Sequence, residues 1–335
     1  MKVLIHLVSS MRCWTLGDEQ LAKLRSDFPE HELLAATNKE MALANLPGAE
    51  VYWGWVFEPG WVAMGKKLRW VATPAAGLDW VASEELRASG IPVTRGTFHG
   101  RIISESILAM MLSFERRLEA CRRMQRAGEW SREILDGSGG TLAGKTLGVI
   151  GAGNVGTHVA RKAKCFEMRT LGVRRQAARP EFPFDAIFGT DGLRQALSQS
   201  DHIVLCLPST KRTTRLIGER ELAWMKPSAY LYNVGRGNCV DERALIRALE
   251  KGRLAGAGLD VFEEEPLRAQ SKLRGMENVI VTPHAAAIAP TYLSLAEEEF
   301  VENLRRLDAG EPLLHVVDPE SDLWEPAPSA HSPAD

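Results

Sequence analysis

Short apolar stretches alternate along the chain with longer segments in which apolar residues recur at helical spacing. This alternation is typical of parallel sheets whose strands are joined by crossover helices. A first set of strands is predicted at KVLIHLV, VYWGWV, RWVATPAAG and IPVTR, and a second set at TLGVIG, MRTLGV, HIVLCLP, AYLYNVG, GAGLDV and VIVTPH. The pattern therefore predicts an α/β protein with two parallel sheets.

One long helix is predicted between the two sets of strands. From Ile102 to Trp130 apolar residues recur at helical spacing and no proline interrupts them. The glycine-rich stretch DGSGGTLAG then breaks the pattern.

We place a domain boundary at this long helix. The second domain is predicted to span 102–288, and the helix TYLSLAEEEFVENLRRL then returns the chain to the first domain. The first domain is therefore discontinuous, over 1–101 and 289–318. Residues 319–335 are rich in Pro, Ser and Ala, so we predict a mobile tail there.

Size and charge narrow the class of protein. The chain of 335 residues is long enough for two domains, and its net charge of −2 gives no overall basic field to attract nucleic acid or an anionic membrane. No apolar run approaches the roughly 18 residues of a transmembrane helix. The apolar start, MKVLIHLVSS, contains His6 and lacks a small-residue cleavage site, so a first strand is favoured over a signal peptide.

The cysteines predict a reducing compartment. They are scattered, odd in number and form no C-x-x-C motif, which favours the cytoplasm and argues against a zinc site or a disulfide scaffold. They are Cys13, Cys121, Cys165, Cys206 and Cys239. We therefore predict a cytoplasmic protein with no metal site and no nucleic-acid or membrane partner.

The stretch GVIGAGNVG predicts a strand, a tight turn and a helix that together bind a dinucleotide. Gly151 allows the turn, Gly153 lets the backbone approach a pyrophosphate, and Gly156 lets helix and strand pack closely. Asn154 and Val155 open the helix, whose first N–H groups attract phosphate. A glycine loop with a purely structural role is the alternative.

The position that usually carries a ribose-binding acid holds an arginine. After the strand MRTLGV come Arg174 and Arg175. Arginine cannot accept hydrogen bonds from the ribose hydroxyls, but it can donate them to a 2′-phosphate. We therefore predict NADP(H) as the preferred cofactor and NAD(H) as the alternative. In the competing interpretation the two arginines form a solvated surface turn.

Three predicted strands of the second set end in reactive side chains, and ligands of such sheets bind beyond the carboxyl ends of the strands. Arg236 can grip a carboxylate and polarise the neighbouring carbonyl group. His284 can supply a proton, and Glu265 favours its charged form. Each residue taken alone is more often structural or solvated, but together they predict reduction of a 2-keto acid.

These motifs together resemble the D-isomer-specific 2-hydroxyacid dehydrogenase family. The resemblance is carried by LAGKTLGVIGAGNVG, LPSTKRTTRLIG, MKPSAYLYNVGRGNCVDERALIRAL, GAGLDVFEEEPL and VTPHAAA. It implies a doubly wound Rossmann cofactor domain inserted into a smaller flavodoxin-like substrate domain. It also implies that Arg236 binds substrate, that Glu265 is the partner of the histidine, and that His284 is the proton donor.

The resemblance implies further binding residues. Asp260 matches a residue at the nicotinamide end of the cofactor, and Pro208 and Thr213 match a loop lying against the cofactor. Val234, at the end of its strand, is expected to contact the cofactor as well.

The first domain matches the family only weakly. Its ATPAAGLDWV stretch resembles the substrate-carboxylate loop, which implies that the backbone N–H groups of Ala76 and Gly77 hold the anion. An ordinary turn is the alternative. Trp53 and Trp55 face the same side of a strand, and core packing is favoured over a wall of the substrate site.

The sequence therefore predicts an NAD(P)H-dependent reductase of a small 2-keto acid such as glyoxylate or hydroxypyruvate. Hydride from the nicotinamide and a proton from His284 give the D-2-hydroxy acid. The alternatives are a dehydrogenase for another small acid, such as phosphoglycerate, and a nucleotide-sensing protein resembling a corepressor. The resemblance also implies a homodimer formed through the 102–130 helix. The alternative is that this helix packs only on its own domain.

Overall fold

The chain forms two compact units in a computed structural model. One comprises Met1–His99 together with the described chain after Ala287, and the other comprises Gly100–Ala287. The predicted boundaries at residues 101 and 288 fall beside these. The structure describes residues 1–137, 139–179 and 181–324.

The first unit is built on a five-stranded parallel sheet in the order β2-β1-β3-β4-β5. The strands are β1 (Lys2–His6), β2 (Glu32–Ala35), β3 (Val51–Gly54), β4 (Trp70–Thr73) and β5 (Val93–Arg95). This order is flavodoxin-like, as predicted. The sequence pattern missed β2, because none of its four residues, ELLA, is β-branched or aromatic.

Large aromatic side chains fill much of the first unit's core. Trp53 is only 1% exposed and stacks on Phe300, with ring centroids 4.1 Å apart and planes 4° from parallel. Trp70 also stacks on Phe300, with ring centroids 5.0 Å apart. The core interpretation of Trp53 is therefore confirmed. Trp55, which is 2% exposed, is buried as well, but it lies just beyond the end of β3 and takes part in a different aromatic group.

The second unit is built on a seven-stranded parallel sheet in the order β12-β11-β10-β9-β6-β7-β8. The strands are β6 (Thr146–Ile150), β7 (Arg169–Val173), β8 (Ala186–Phe188), β9 (His202–Leu205), β10 (Tyr230–Asn233), β11 (Gly256–Leu259) and β12 (Val279–Val281). The order reverses between β6 and β9, which is the switch point of a doubly wound Rossmann sheet, as predicted. The pattern missed the three-residue edge strand β8.

Helices join the strands of both sheets. They are α1 (Asp18–Asp27), α2 (Lys39–Asn45), α3 (Trp61–Met64), α4 (Glu84–Ala88), α5 (His99–Glu115), α6 (Leu118–Ala127), α7 (Asn154–Lys164), α8 (Leu193–Gln199), α9 (Glu219–Trp224), α10 (Glu242–Glu250) and α11 (Tyr292–Ala309). Among the described residues, no helix combines the length and apolarity needed to cross a membrane.

The prediction of one helix over Ile102–Trp130 is wrong, because α5 and α6 are separate. Arg117 between them adopts a left-handed backbone with φ of 53°. The N–H of Gly140 donates to the carbonyl oxygen of Glu115 at 2.8 Å, so the glycine-rich segment binds the end of α5. Apolar spacing continues across this break and therefore did not reveal it.

The prediction of a mobile tail from residue 319 is wrong for its first part. Residues 322–324 form a 3-10 helix, and Trp324 is 8% exposed within the first unit's core. The indole of Trp324 donates to the carbonyl oxygen of Asp318 at 3.0 Å, which secures this end. The rest of the predicted tail, 325–335, lies outside the described residues.

Candidate active site

The glycine loop follows β6 and leads into α7. Gly151 has φ of +99°, and a Cβ there would lie 2.6 Å from the carbonyl oxygen of Cys206. A Cβ at Gly156 would lie 2.4 Å from the carbonyl oxygen of Gly151, so both positions require glycine for packing. At Gly153 a Cβ would meet no atom of the described chain within 4 Å. Packing therefore does not explain Gly153, whereas close approach of a pyrophosphate does.

The amino end of α7 fits a phosphate group. Gly153 is the N-cap residue and provides no side-chain hydrogen bond to the helix. The first turn, which begins with Asn154 and Val155, therefore keeps N–H groups for an anion. The loop residues that the sequence singled out thus fit a dinucleotide.

Arg174 directly follows the residue that binds the glycine loop. The carbonyl oxygen of Val173, the last residue of β7, accepts hydrogen bonds from Gly151 N at 2.9 Å and Ala152 N at 3.0 Å. Neither Arg174 nor Arg175 forms an ion pair with any residue that the structure describes. Two unpaired guanidinium groups beside the glycine loop are suited to a phosphate.

A second loop follows β9, the neighbour of β6 in the sheet. The hydroxyl of Thr213 donates to the carbonyl oxygen of Pro208 at 2.6 Å and closes this loop on itself. Val234 follows β10, is 8% exposed, and donates its N–H to Leu205 O at 3.3 Å. These three residues share the carboxyl edge of the sheet with the glycine loop, and their contact with a cofactor stays a prediction.

Arg236 lies in a tight turn after β10. Asn233, only 1% exposed, accepts a hydrogen bond from Gly235 N at 3.1 Å and donates to Arg236 O at 3.0 Å. A Cβ at Gly237 would lie 1.9 Å from the backbone of Phe262. The turn is thereby fixed against the segment that carries Glu265, and its shape depends on Asn233 and Gly237.

Glu265 and His284 form a hydrogen-bonded pair, with His284 Nδ1 2.8 Å from Glu265 Oε2. The other carboxylate oxygen accepts from Phe262 N at 3.0 Å. Burial acts to raise the pKa of Glu265, but the hydrogen bond and charge of His284 outweigh it, so this pKa lies below its ordinary value. The carboxylate is therefore ionised and holds Nδ1, which leaves the Nε2 of His284 to act on a substrate.

Asp260 holds the turn that presents His284. Its carboxylate, 2% exposed, accepts hydrogen bonds from Thr282 Oγ1 at 2.6 Å, Ala285 N at 2.7 Å and Ala286 N at 3.0 Å. His284 itself has a left-handed φ of 52°, which a β-branched residue would tolerate poorly. The structure thus shows a positioning role for Asp260, while its contact with the nicotinamide end of a cofactor stays a prediction.

In the first unit, Ala76 and Gly77 lie in the loop after β4. No described residue accepts a hydrogen bond from either of their N–H groups. The guanidinium of Arg95 donates to the carbonyl oxygen of Ala76 at 2.7 Å, which orients the peptide and places a positive charge behind it. Both features suit an anion.

Sequence reasoning missed three of these supporting residues: Asn233, Thr282 and Arg95. The first two end or follow apolar strands as isolated polar residues, which is a signal that could have indicated them. Arg95 gives the same signal at the end of β5, but the sequence does not show that its partner, Ala76, lies in the loop after another strand.

A comparison with protein-family models decides the classification. The model for the NAD-binding domain of D-isomer-specific 2-hydroxyacid dehydrogenases matches residues 108–286, which contain the glycine loop, Arg236, Glu265 and His284. The chain belongs to the D-isomer-specific 2-hydroxyacid dehydrogenase family. The dehydrogenase is thus an oxidoreductase that uses a nicotinamide cofactor and reduces small 2-keto acids.

Similar proteins cover nearly the whole dehydrogenase. It is 35% identical over 311 residues to a glyoxylate/hydroxypyruvate reductase B of Pectobacterium carotovorum, covering 91% of this chain and 96% of that protein. It is 36% identical over 263 residues to a glyoxylate reductase of Korarchaeum cryptofilum, covering 76% of this chain and 77% of that protein. A solved D-isomer-specific 2-hydroxyacid dehydrogenase from Xanthobacter autotrophicus, in complex with NADPH and MES, has 30% identity and a TM-score of 0.79 over 96% and 99% of the two chains.

Proposed function

We propose that this dehydrogenase reduces glyoxylate, hydroxypyruvate or a closely similar 2-keto acid to the D-2-hydroxy acid. The Glu265–His284 pair carries the proposal, because its 2.8 Å hydrogen bond fixes an ionised acid beside a histidine at the carboxyl edge of the cofactor sheet. The relatives from Pectobacterium carotovorum and Korarchaeum cryptofilum, named for glyoxylate and hydroxypyruvate reduction, support the choice of substrate.

The residues divide the chemistry between them. When bound, the nicotinamide supplies the hydride that adds to the keto carbon. His284 Nε2 gives its proton to the carbonyl oxygen as that oxygen gains charge, and the Glu265 carboxylate stabilises the charged imidazolium beforehand. Arg236 grips the substrate carboxylate and polarises the neighbouring carbonyl group.

The loop of Ala76 and Gly77 in the first unit is proposed to bind the substrate carboxylate. The free N–H groups of Ala76 and Gly77, backed by Arg95, support their proposed role as the carboxylate loop. A backbone site of this kind takes any small 2-keto acid, so it sets the class of substrate and leaves the choice of side chain to other residues.

NADPH is the proposed preferred cofactor. An acid after β7 would bind both ribose hydroxyls of NADH and repel a 2′-phosphate, whereas Arg174 and Arg175 can only donate. Two charge-assisted hydrogen bonds, discounted for exposure, give about 2–3 kcal/mol, or roughly 30- to 150-fold in affinity. The Xanthobacter autotrophicus relative binds NADPH in its crystal structure, which supports the preference.

A homodimer formed through α6 is proposed as the assembly. No residue of α6 is buried, Leu118 at its start is 47% exposed, and Trp130 shortly after its end is 92% exposed. Exposed large apolar side chains at the two ends of α6 favour association. Sedimentation velocity should give a dimer that Leu118→Glu weakens, and a monomeric wild type would contradict this.

The five cysteines are all free, which supports a cytoplasmic location.

The test of the proposed activity is oxidation of NADPH with a panel of small 2-keto acids. We expect rapid turnover with glyoxylate or hydroxypyruvate, and slow turnover with 3-phosphohydroxypyruvate. Binding of NADPH without turnover of any acid in the panel would contradict the proposal and favour the nucleotide-sensing alternative.

A further inference from the structure

The first unit has a topological switch point of its own. Its strand order reverses between β1 and β3, which are direct neighbours in the sheet. In open α/β sheets, ligands bind beyond the carboxyl ends of the strands at such a point. The chain that follows β1 includes Trp14, and the residue that follows β3 is Trp55. The two tryptophans therefore mark the place in this unit where the fold favours a ligand.

Trp14, Trp55 and Tyr292 form one aromatic group there. The ring centroids of Trp14 and Trp55 are 5.6 Å apart, those of Trp14 and Tyr292 are 6.0 Å apart, and those of Trp55 and Tyr292 are 5.8 Å apart. The hydroxyl of Tyr292 lies 3.3 Å from the carbonyl oxygen of Pro74 and donates to it. Pro74 is two residues before Ala76, so the aromatic group adjoins the proposed carboxylate loop.

Only one polar atom of the three rings has no partner. The indole of Trp55 donates to the carbonyl oxygen of Trp14 at 2.9 Å, and the hydroxyl of Tyr292 lies 2.7 Å from His99 Nε2. The indole nitrogen of Trp14 is buried and has no hydrogen-bond partner among the described residues. Leaving a buried donor unpaired is costly, and such a group in a native protein needs a specific explanation.

We propose that Trp14 is a specificity-determining residue whose indole N–H donates to an oxygen on the third carbon of the substrate. This inference rests on the proposed function and narrows it to 3-hydroxy-2-keto acids, with hydroxypyruvate as the smallest. A carboxylate held at Ala76 and Gly77 leaves the far end of the substrate for the adjoining aromatic group. Pyruvate lacks the oxygen and leaves the indole unpaired, so the site discriminates against it.

The variant Trp14→Phe tests this, because it removes the N–H and keeps an aromatic ring. We expect kcat/KM for hydroxypyruvate to fall roughly 5- to 150-fold, which corresponds to the loss of a buried donor's partner. The value for pyruvate should stay the same or rise. An equal change for both substrates would overturn the proposal.

The matched control is Trp70→Phe. Trp70 is fully buried and begins β4, so it lies at the amino ends of the strands, whereas Trp55 follows the carboxyl end of β3. Its indole N–H donates to Thr94 Oγ1 at 2.9 Å. Its loss should lower thermal stability and leave the ratio of the two kcat/KM values unchanged. A change of that ratio in the control as large as in Trp14→Phe would mean that general loosening, and not the Trp14 donor, sets selectivity.

A binding measurement on the wild-type protein tests the same proposal without any substitution. Calorimetric titration of the NADP⁺-saturated protein should show D-glycerate binding about tenfold or more tighter than D-lactate, since the two differ only in the hydroxyl on the third carbon. Equal affinities would overturn the proposal. If neither glyoxylate nor hydroxypyruvate is reduced, the proposed function itself is wrong. If both are reduced but D-glycerate binds no tighter than D-lactate, only the Trp14 inference is overturned.

Discussion

The two units place their functional groups by different means. In the second unit, Arg236 and His284 lie on short turns at strand ends, and each turn is fixed by one buried polar side chain, Asn233 or Asp260. In the first unit, the group around Trp14 is assembled by aromatic packing between segments far apart in sequence. Proton transfer and phosphate binding allow few residue types, whereas packing allows many. The residues proposed for the reaction therefore lie in local sequence motifs, whereas those proposed for substrate preference do not.

The sharpest test of the second unit is His284→Ala. Loss of the proton donor should lower kcat by roughly 10²–10⁴-fold. The dissociation constant for NADPH, measured by fluorescence titration, should barely change, because His284 is expected at the carbonyl group of the substrate. A variant that kept most of its kcat, with chemistry shown to be rate-limiting, would remove His284 from the role of acid.

Arg236→Lys should have the next largest effect. Lysine keeps the charge and loses the planar fork that binds a carboxylate with two hydrogen bonds. We expect kcat/KM for the keto acid to fall about 10²–10³-fold, comparable to removing a donor that stabilises the transition state. An unchanged kcat/KM would show that Arg236 does not touch the substrate.

Arg174→Asp tests the cofactor preference. The ratio of kcat/KM for NADPH to that for NADH should exceed one in the wild type and fall by roughly 30- to 150-fold or more in the variant. Arg169→Asp makes the same charge change at the exposed start of β7 and serves as the control. Equal or better use of NADH by the wild type contradicts the assignment, as does an undiminished preference in Arg174→Asp.

Glu265→Gln should change the pH dependence more than the maximum rate. The lowered pKa of Glu265 keeps its carboxylate charged over the working range, where it favours the protonated histidine. Glutamine does not titrate, so the acid limb that protonation of Glu265 contributes to the wild-type kcat/KM profile should be absent from the variant. A limb that stays in place would mean that Glu265 only orients the ring.

Trp53→Phe should have the smallest effect on activity. Trp53 stacks on Phe300 inside the first unit, and only 1% of its surface is exposed. We expect the free energy of unfolding to fall by about 1–3 kcal/mol, and kcat/KM to stay within about twofold. Denaturant unfolding and steady-state kinetics measure the two. A large fall in kcat/KM at unchanged stability would place Trp53 in the substrate site after all.

Sequence patterns predicted most of the fold and failed where tertiary contacts overrule local spacing. The edge strands β2 and β8 were missed because they contain fewer β-branched residues than the equally short edge strands β5 and β12. The break at Arg117 follows from a backbone contact between Glu115 and Gly140, which helical spacing does not record. Trp324 is buried although its surroundings in sequence are typical of a mobile tail.

The candidate site shows the same division. Gly151, Gly156, Glu265 and His284 were found from motifs, because their backbone geometry or chemistry admits few substitutes. Arg95 and Trp14 were not, since each acts through a contact with a segment distant in the chain. The family resemblance predicts that Asp260 contacts the cofactor, whereas the structure shows that it fixes the turn that carries His284.

The central claim is that this dehydrogenase delivers a hydride to one face of the keto carbon of a small 2-keto acid and a proton to its carbonyl oxygen. The most direct measurement is the reduction of hydroxypyruvate with NADPH deuterated at the transferable position, followed by chiral and mass analysis of the product. The account predicts D-glycerate carrying one deuterium at the second carbon. L-glycerate, or D-glycerate without that deuterium, would contradict it.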